Sequence, residues 1–280
     1  MKTKFDSVIQ IIISLLLICN LDASLHPARA DTSDFLSLCN ITLKEGPGGT
    51  VCKRINQTFF SENSTKDLTS VTPSQVKAPA MSIDRKIQFI VFNDPNYLPG
   101  MAYCYFVFRK WIDPALVSPD TLGLASSGFS ILNEDIKKYQ DWIANKEAGK
   151  ACRKRLEKES GVPITNLEIS LKGYVAIIGL NPFASVSSKG ADFDAVMADL
   201  SLTLNHERIH AYQVLCPDFE KWGQRQWMIQ TAAEKARVQK MYPAYSWSDV
   251  KIAGREYAAF KLEAKPESVL GLLGSCRIDH

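Results

Sequence analysis

His206 and His210 stand four residues apart inside the stretch 192–215, whose apolar positions Phe193, Val196, Met197, Leu200 and Leu204 recur at helical spacing. On a helix, two imidazoles four positions apart lie one turn apart on one face, where both can reach the same ion. Glu207 falls beside that face, where its carboxylate can hold a water bound to that ion. Asp192 complements the helix dipole at the start of the stretch, and Cys216-Pro217 stops it. The bland alternative is a helix turn, facing solvent or core, that happens to contain two histidines. Against it, the only other histidines are His26, near the N-terminus, and His280, at the very end.

Two further helices are predicted downstream. One covers 219–241 and ends at Pro243; the other covers 249–264, with Ser246 or Ser248 as its cap and Pro266 beyond. They offer three glutamates that can complete a ligand set with the histidines. Glu256 lies in Arg255-Glu256-Tyr257-Ala258-Ala259. Glu234 lies on a helix flanked by Lys235, Arg237 and Lys240 that reads as solvated, and Glu263 follows later. Each has the alternative of an exposed helix glutamate in an i,i+4 pair.

The segment His206-Glu207-Arg208-Ile209-His210 resembles the metal-binding helix of the zincin metallopeptidases, and the resemblance spans 192–264. No third histidine completes the metzincin pattern, and Gln213 stands where that pattern has glycine, so the likeness is to the gluzincin branch. In that branch the third ligand is a glutamate on a later helix, followed by a small residue that lets the two helices pack. The resemblance therefore implies Zn2+ held by His206, His210 and Glu256, with Glu207 as general base and a protein or peptide as substrate. It also implies that the strand 174–180, just upstream, is the sheet edge that pairs with substrate. One further donor to the oxyanion is needed; Tyr212, Tyr242, Tyr245 and Tyr257 are available, spacing singles out none of them, and each has the more usual alternative of a core or rim aromatic. Two other readings stand beside this one: a zinc amidase acting on cell-wall peptides, and a binding protein on a zincin-like scaffold without turnover.

The beginning of the chain reads as a targeting segment. Lys2 and Lys4 precede an apolar run from Val8 to Cys19, and Ala28-Arg29-Ala30 forms a cleavage site. The run is shorter than the roughly 20 residues that span a bilayer and contains Gln10. A signal peptide over 1–30, cleaved after Ala30, implies a secreted or periplasmic protein with no stable membrane insertion. Six of the seven cysteines then remain, an even set suited to disulfides. Cys39 and Cys52 flank the short loop Gly46-Pro47-Gly48-Gly49 and are expected to pair. A net charge of +3 gives no reason to expect nucleic acid as a partner.

Residues 31–80 read as an irregular leader tied by that disulfide, and 81–280 as the catalytic domain. With 46% hydrophobic residues in 280, burial can support a sizeable core. The stretches 86–93 and 102–112 are rich in aromatic and β-branched residues between Asp-Pro breaks and read as strands, as do 167–171 and 174–180. The charged segment 133–160, with Ile136, Tyr139, Trp142 and Ile143 on one face, reads as one or two amphipathic helices. The expectation is an α+β fold: a mostly antiparallel sheet upstream, then a helical segment carrying the metal site.

Overall fold

The computed structural model describes residues 47–60, 68–92, 97–112, 114–115, 117–119, 122, 126–160, 173–189, 192–242, 245 and 247–273. The expected signal segment, the strand 167–171 and Cys39, the expected partner of Cys52, lie outside them.

Four strands form one sheet: β1 (Leu68–Ser70), β2 (Ile87–Phe92), β3 (Gly128–Leu132) and β4 (Ala176–Leu180), in the order β1-β2-β4-β3. The β1–β2 and β4–β3 pairings are antiparallel, while β2 and β4 run parallel. The fold is α+β, as the sequence indicates. Alternation along the central strands divides the interior in two. Phe89 and Val91 of β2 join Ala176, Ile178 and Leu180 of β4 in one cluster. Ile90 and Phe92 join Phe129, Ile131 and Ile177 in the other. Both faces are covered, which is why these strands read as unbroken apolar runs.

The outer layer consists of α2 (Tyr97–Phe108), α3 (Asn133–Asn145) and α4 (Glu147–Ser160). The expected strand 102–112 is therefore a correction: most of it lies in a helix. Ala102 to Phe106 are all buried, so this helix is apolar around its circumference. A fully buried helix shows no amphipathic period to separate it from a buried strand. A disulfide between Cys104 and Cys152 ties α2 to α4 with a Cα separation of 5.9 Å, and Cys216 is also disulfide-bonded.

The inner layer contains α5 (Pro182–Lys189), α6 (Phe193–Leu215) and, less expectedly, α1 (Pro47–Phe59). Val51, Ile55 and Phe59 of α1 follow helical spacing into the core beside Val71 and Val76. The part of the 31–80 segment that is described is thus helix, strand and packed turns, where irregular chain was expected.

Three helices follow: α7 (Pro217–Met228), α8 (Ala232–Met241) and α9 (Val250–Leu262), then α10 (Pro266–Leu273). The single helix expected over 219–241 is two, because Thr231 caps a new one, its Oγ1 accepting from Glu234 N at 3.1 Å. The cap of α9 is Asp249, whose Oδ1 accepts from Lys251 N at 2.8 Å. A carboxylate one residue nearer the helix takes the place expected for Ser246 or Ser248.

The strand expected at the substrate edge is also corrected. β4 lies inside the sheet between β2 and β3, and the edge toward the metal helix is β3. No helix among the described residues is long and apolar enough to cross a membrane.

Candidate metal centre

Helix α6 starts at Asp192, whose Oδ1 accepts from Asp194 N at 2.9 Å and Ala195 N at 3.1 Å. Its first half buries Val196, Met197, Leu200 and Leu204 against the sheet. Its second half is polar yet still buried. Arg208 sets the rotation there, because residues two apart on a helix point nearly oppositely. Arg208 Nε donates to Asp84 Oδ1 at 3.1 Å, its Nη2 bonds Asp84 Oδ2, and its Nη1 donates to Asn205 Oδ1 at 3.0 Å. Tyr212 Oη donates to Asp84 Oδ1 at 2.8 Å. With that side clamped, His206 and His210 face α9.

On α9, Glu256 meets them. Its Oε2 is 3.4 Å from His206 Nε2 and its Oε1 is 3.6 Å from His210 Nε2. One donor atom from each residue lies within 4.8 Å of the other two. Ligand arms of about 2.0–2.1 Å around a tetrahedral ion put donors about 3.4 Å apart, so the spacing suits such an ion. Glu256 Oε2 is buried and makes no hydrogen bond within the protein, a costly state for a carboxylate oxygen unless a cation meets it. These three residues can hold a metal ion.

The outward nitrogens of both rings are held as well. His206 Nδ1 lies 2.8 Å from Glu263 Oε2, and His210 Nδ1 lies 3.2 Å from Gln213 Oε1. Gln213 Nε2 in turn donates to Arg255 O at 3.1 Å. Such bonds fix which ring nitrogen faces the ion and how the ring is turned.

Electrostatics in the metal-free site follow from the same contacts. Burial works to keep His206 neutral, but the nearby carboxylates of Glu256, 3.4 Å from its Nε2, and Glu263, 2.8 Å from its Nδ1, prevail and raise its pKa to about 10. Burial works to raise Glu256 also, yet the charge of His210 and the nearness of both rings, at 3.4 and 3.6 Å, bring it down to about 2. The carboxylate stays charged, as a cation site requires.

The other sequence candidates separate cleanly. Glu234 lies elsewhere, paired with Arg237 at 2.8 Å. Glu263 touches the back of His206 and does not join the three donors. Glu207 lines the same cavity as His206, His210 and Glu256. Of the four tyrosines, Tyr212 is bound to Asp84, Tyr242 stacks on Phe260 at 3.7 Å, and Tyr257 packs on Trp227. Only Tyr245 among them lines that cavity. Burial, then the charges of Glu256, Glu207 and Glu263, push its hydroxyl well above the usual phenol range, so it stays a donor.

One residue on β3 has no counterpart in the sequence reading. Asn181 N donates to Ser127 O at 2.7 Å and Asn133 N to Val175 O at 2.8 Å, so odd-numbered residues of β3 bond to β4. By antiparallel alternation, Gly128, Ser130 and Leu132 turn their backbone groups to the outer edge, which no strand among the described residues covers. Ser126 Oγ takes Gly128 O at 2.8 Å, and Tyr105 Oη takes Leu132 N at 3.4 Å. Ser130 sits between them with its hydroxyl buried and unbonded, lining the cavities on both sides of the metal site. A lone serine in Gly-Phe-Ser-Ile-Leu gives no signal of this without the strand's register.

Comparison of the chain with protein-family models, curated proteins and solved structures finds no match to any of them.

Proposed function

We propose that the protein is a zinc-dependent peptidase, exported by its N-terminal segment, that hydrolyses a peptide bond with Glu207 as general base. The observation that supports this most is the meeting of His206, His210 and the unbonded Glu256 oxygen on one side of α6, beside Glu207. Two nitrogens and one carboxylate oxygen are a donor set suited to zinc in a catalytic site, with a fourth position left for water or substrate. When bound, zinc supplies Lewis acidity, which lowers the pKa of water to about 7 and polarises a carbonyl.

The chain's own groups do the rest. His206, His210 and Glu256 hold the ion, while Glu263 and Gln213 keep the two rings turned to it. Glu207 takes the proton of the attacking water and delivers it to the leaving nitrogen. Tyr245, kept protonated, donates to the oxygen that gains charge. The open edge of β3 at Ser130 offers an extended peptide a strand to pair with.

Casein hydrolysis and zinc content, measured together on three proteins, test this. Glu207→Gln should keep zinc and lose at least about 100-fold in turnover, since an amide cannot accept the proton. His210→Ala should lose the metal itself. A Glu207→Gln variant as active as wild type removes the mechanism. Zinc-loaded wild type that cleaves no folded or unfolded protein favours a cell-wall or non-catalytic role.

A further inference from the structure

The cavity that opens on His206, Glu207 and His210 has a volume of about 200 Å3, and its walls are Phe106, Trp111, Ile112, Leu122, Phe129 and Ile252. For scale, a cavity of about 150 Å3 lined by aliphatic and aromatic side chains is dry enough to take benzene. Apart from the groups of the metal site, the only charged residue lining it among the described residues is Lys110, which is exposed. The wall is built by the end of α2. Lys110 adopts a left-handed φ of 59°, and Trp111 N returns to Phe106 O at 2.9 Å, closing the helix and directing Trp111 and Ile112 toward the metal side.

The space on the other side of His210 and Glu256 is different in kind. It holds about 290 Å3, shares Trp111 and Ile252 with the first cavity, and adds the charged groups of Arg109, Glu134, Asp135, Lys138, Lys251 and Arg255. Two of its cations already have acidic partners: Arg109 meets Asp135 at 2.6 Å, and Arg255 meets Glu220 at 2.6 Å and Glu134 at 3.5 Å. Ser130 stands where the two spaces meet, its hydroxyl buried and without a partner. A peptide crossing the metal site along β3 would supply that hydroxyl with a backbone group and place a side chain in the apolar cavity.

We propose that this apolar cavity is a specificity pocket, which selects peptides with a large uncharged side chain, aromatic or leucine-like, next to the cleaved bond, while Ser130 bonds the peptide backbone at its mouth. The proposal rests on the peptidase reading and adds its substrate class. Burial of a phenyl or isobutyl group at about 25 cal/mol per Å2 favours it over a charged or very small one by about 100-fold.

The test is binding, so that it is separable from turnover. Two succinyl hydroxamates, identical but for a benzyl or a carboxymethyl side chain, are titrated calorimetrically into the zinc-loaded full chain and into its Ile112→Glu and Ser130→Ala variants. Ile112 is half-buried at the rim, so Ile112→Ala serves as a milder second variant. The benzyl compound should bind wild type about 100-fold tighter than the carboxymethyl one, with the ratio falling at least about 10-fold in Ile112→Glu. Ser130→Ala should weaken both compounds about equally, by roughly 5- to 10-fold. Equal affinity of the two compounds for wild type, or a ratio unchanged in both Ile112 variants, overturns the proposal. A protein that binds the benzyl compound selectively but hydrolyses no protein keeps the pocket and loses the peptidase reading. One that hydrolyses casein while binding both compounds equally keeps the peptidase reading and loses the pocket.

Discussion

Arg208 is 1% exposed, and Asp84, its partner, is 9% exposed, so two opposite charges are bound within the core on the far side of the metal helix. Removing one partner strands the other, at about 3–5 kcal/mol. Asp84→Ala should therefore lower the unfolding free energy by that amount in urea, whereas Arg208→Met with Asp84→Leu should cost much less. An Asp84→Ala protein within 1 kcal/mol of wild type, in the same order-of-magnitude terms, contradicts the clamp. The site residues set a pH profile in metal-free protein. His206 is raised to about 10 from 6.5, so its contribution is complete below 6.5 and is lost as pH rises through about 10. Glu256 is lowered to about 2 from 4.5, so its contribution is complete above 4.5 and is lost as pH falls through about 2. Thermal unfolding in excess chelator should show greatest stability between about pH 4.5 and 6.5, declining on both sides, and Glu256→Gln should flatten both limbs. A metal-free melting temperature that climbs from pH 6.5 to 9 contradicts this.

Helices α7 and α9 meet backbone to backbone. A Cβ on Gly254 would lie 2.6 Å from Gln224 Cα, and one on Gly223 would lie 2.7 Å from Gly254 O. Gly254→Ala must push these helices apart, costing about 1–3 kcal/mol, and should weaken zinc binding because Glu256 is two residues away. Gly271→Ala is the control: among the described residues nothing lies within 4 Å of its added Cβ, so it should gain about 0.5–1 kcal/mol of stability. Equal melting temperatures for the two variants would argue against the close packing. Helix α6 and the approach of Glu256 were legible because period and motif coincide there. The Gly223–Gly254 contact was not, since neither glycine interrupts its helix pattern. Helix α2 misread as a strand for the reason that buries it, its uniform apolarity. Ser130 and β3 were invisible because an edge strand's chemistry lies in the direction of its backbone groups, which register decides.

The described N-terminal elements belong to the same core as the metal helix. Val51, Ile55, Phe59, Val71 and Val76 pack with Leu200, Leu204 and Ile209, and β1 extends the sheet. At about 1.5–3 kcal/mol for each large side chain buried, their loss amounts to about 10 kcal/mol, comparable to the whole stability of a domain. The fragment 81–280 should thus lack a cooperative thermal transition by circular dichroism, and a fragment that melts like the full chain contradicts that dependence. At the scale of the whole molecule, the two layers and α9 bring His206, His210 and Glu256 together as one candidate metal site. Zinc content after chelator stripping, reloading and dialysis tests it most directly, on wild type, Glu256→Ala and Glu234→Ala. A single zinc is expected in wild type and in Glu234→Ala, and none in Glu256→Ala. Zinc retained by Glu256→Ala as tightly as by wild type, or absent from wild type, would contradict it.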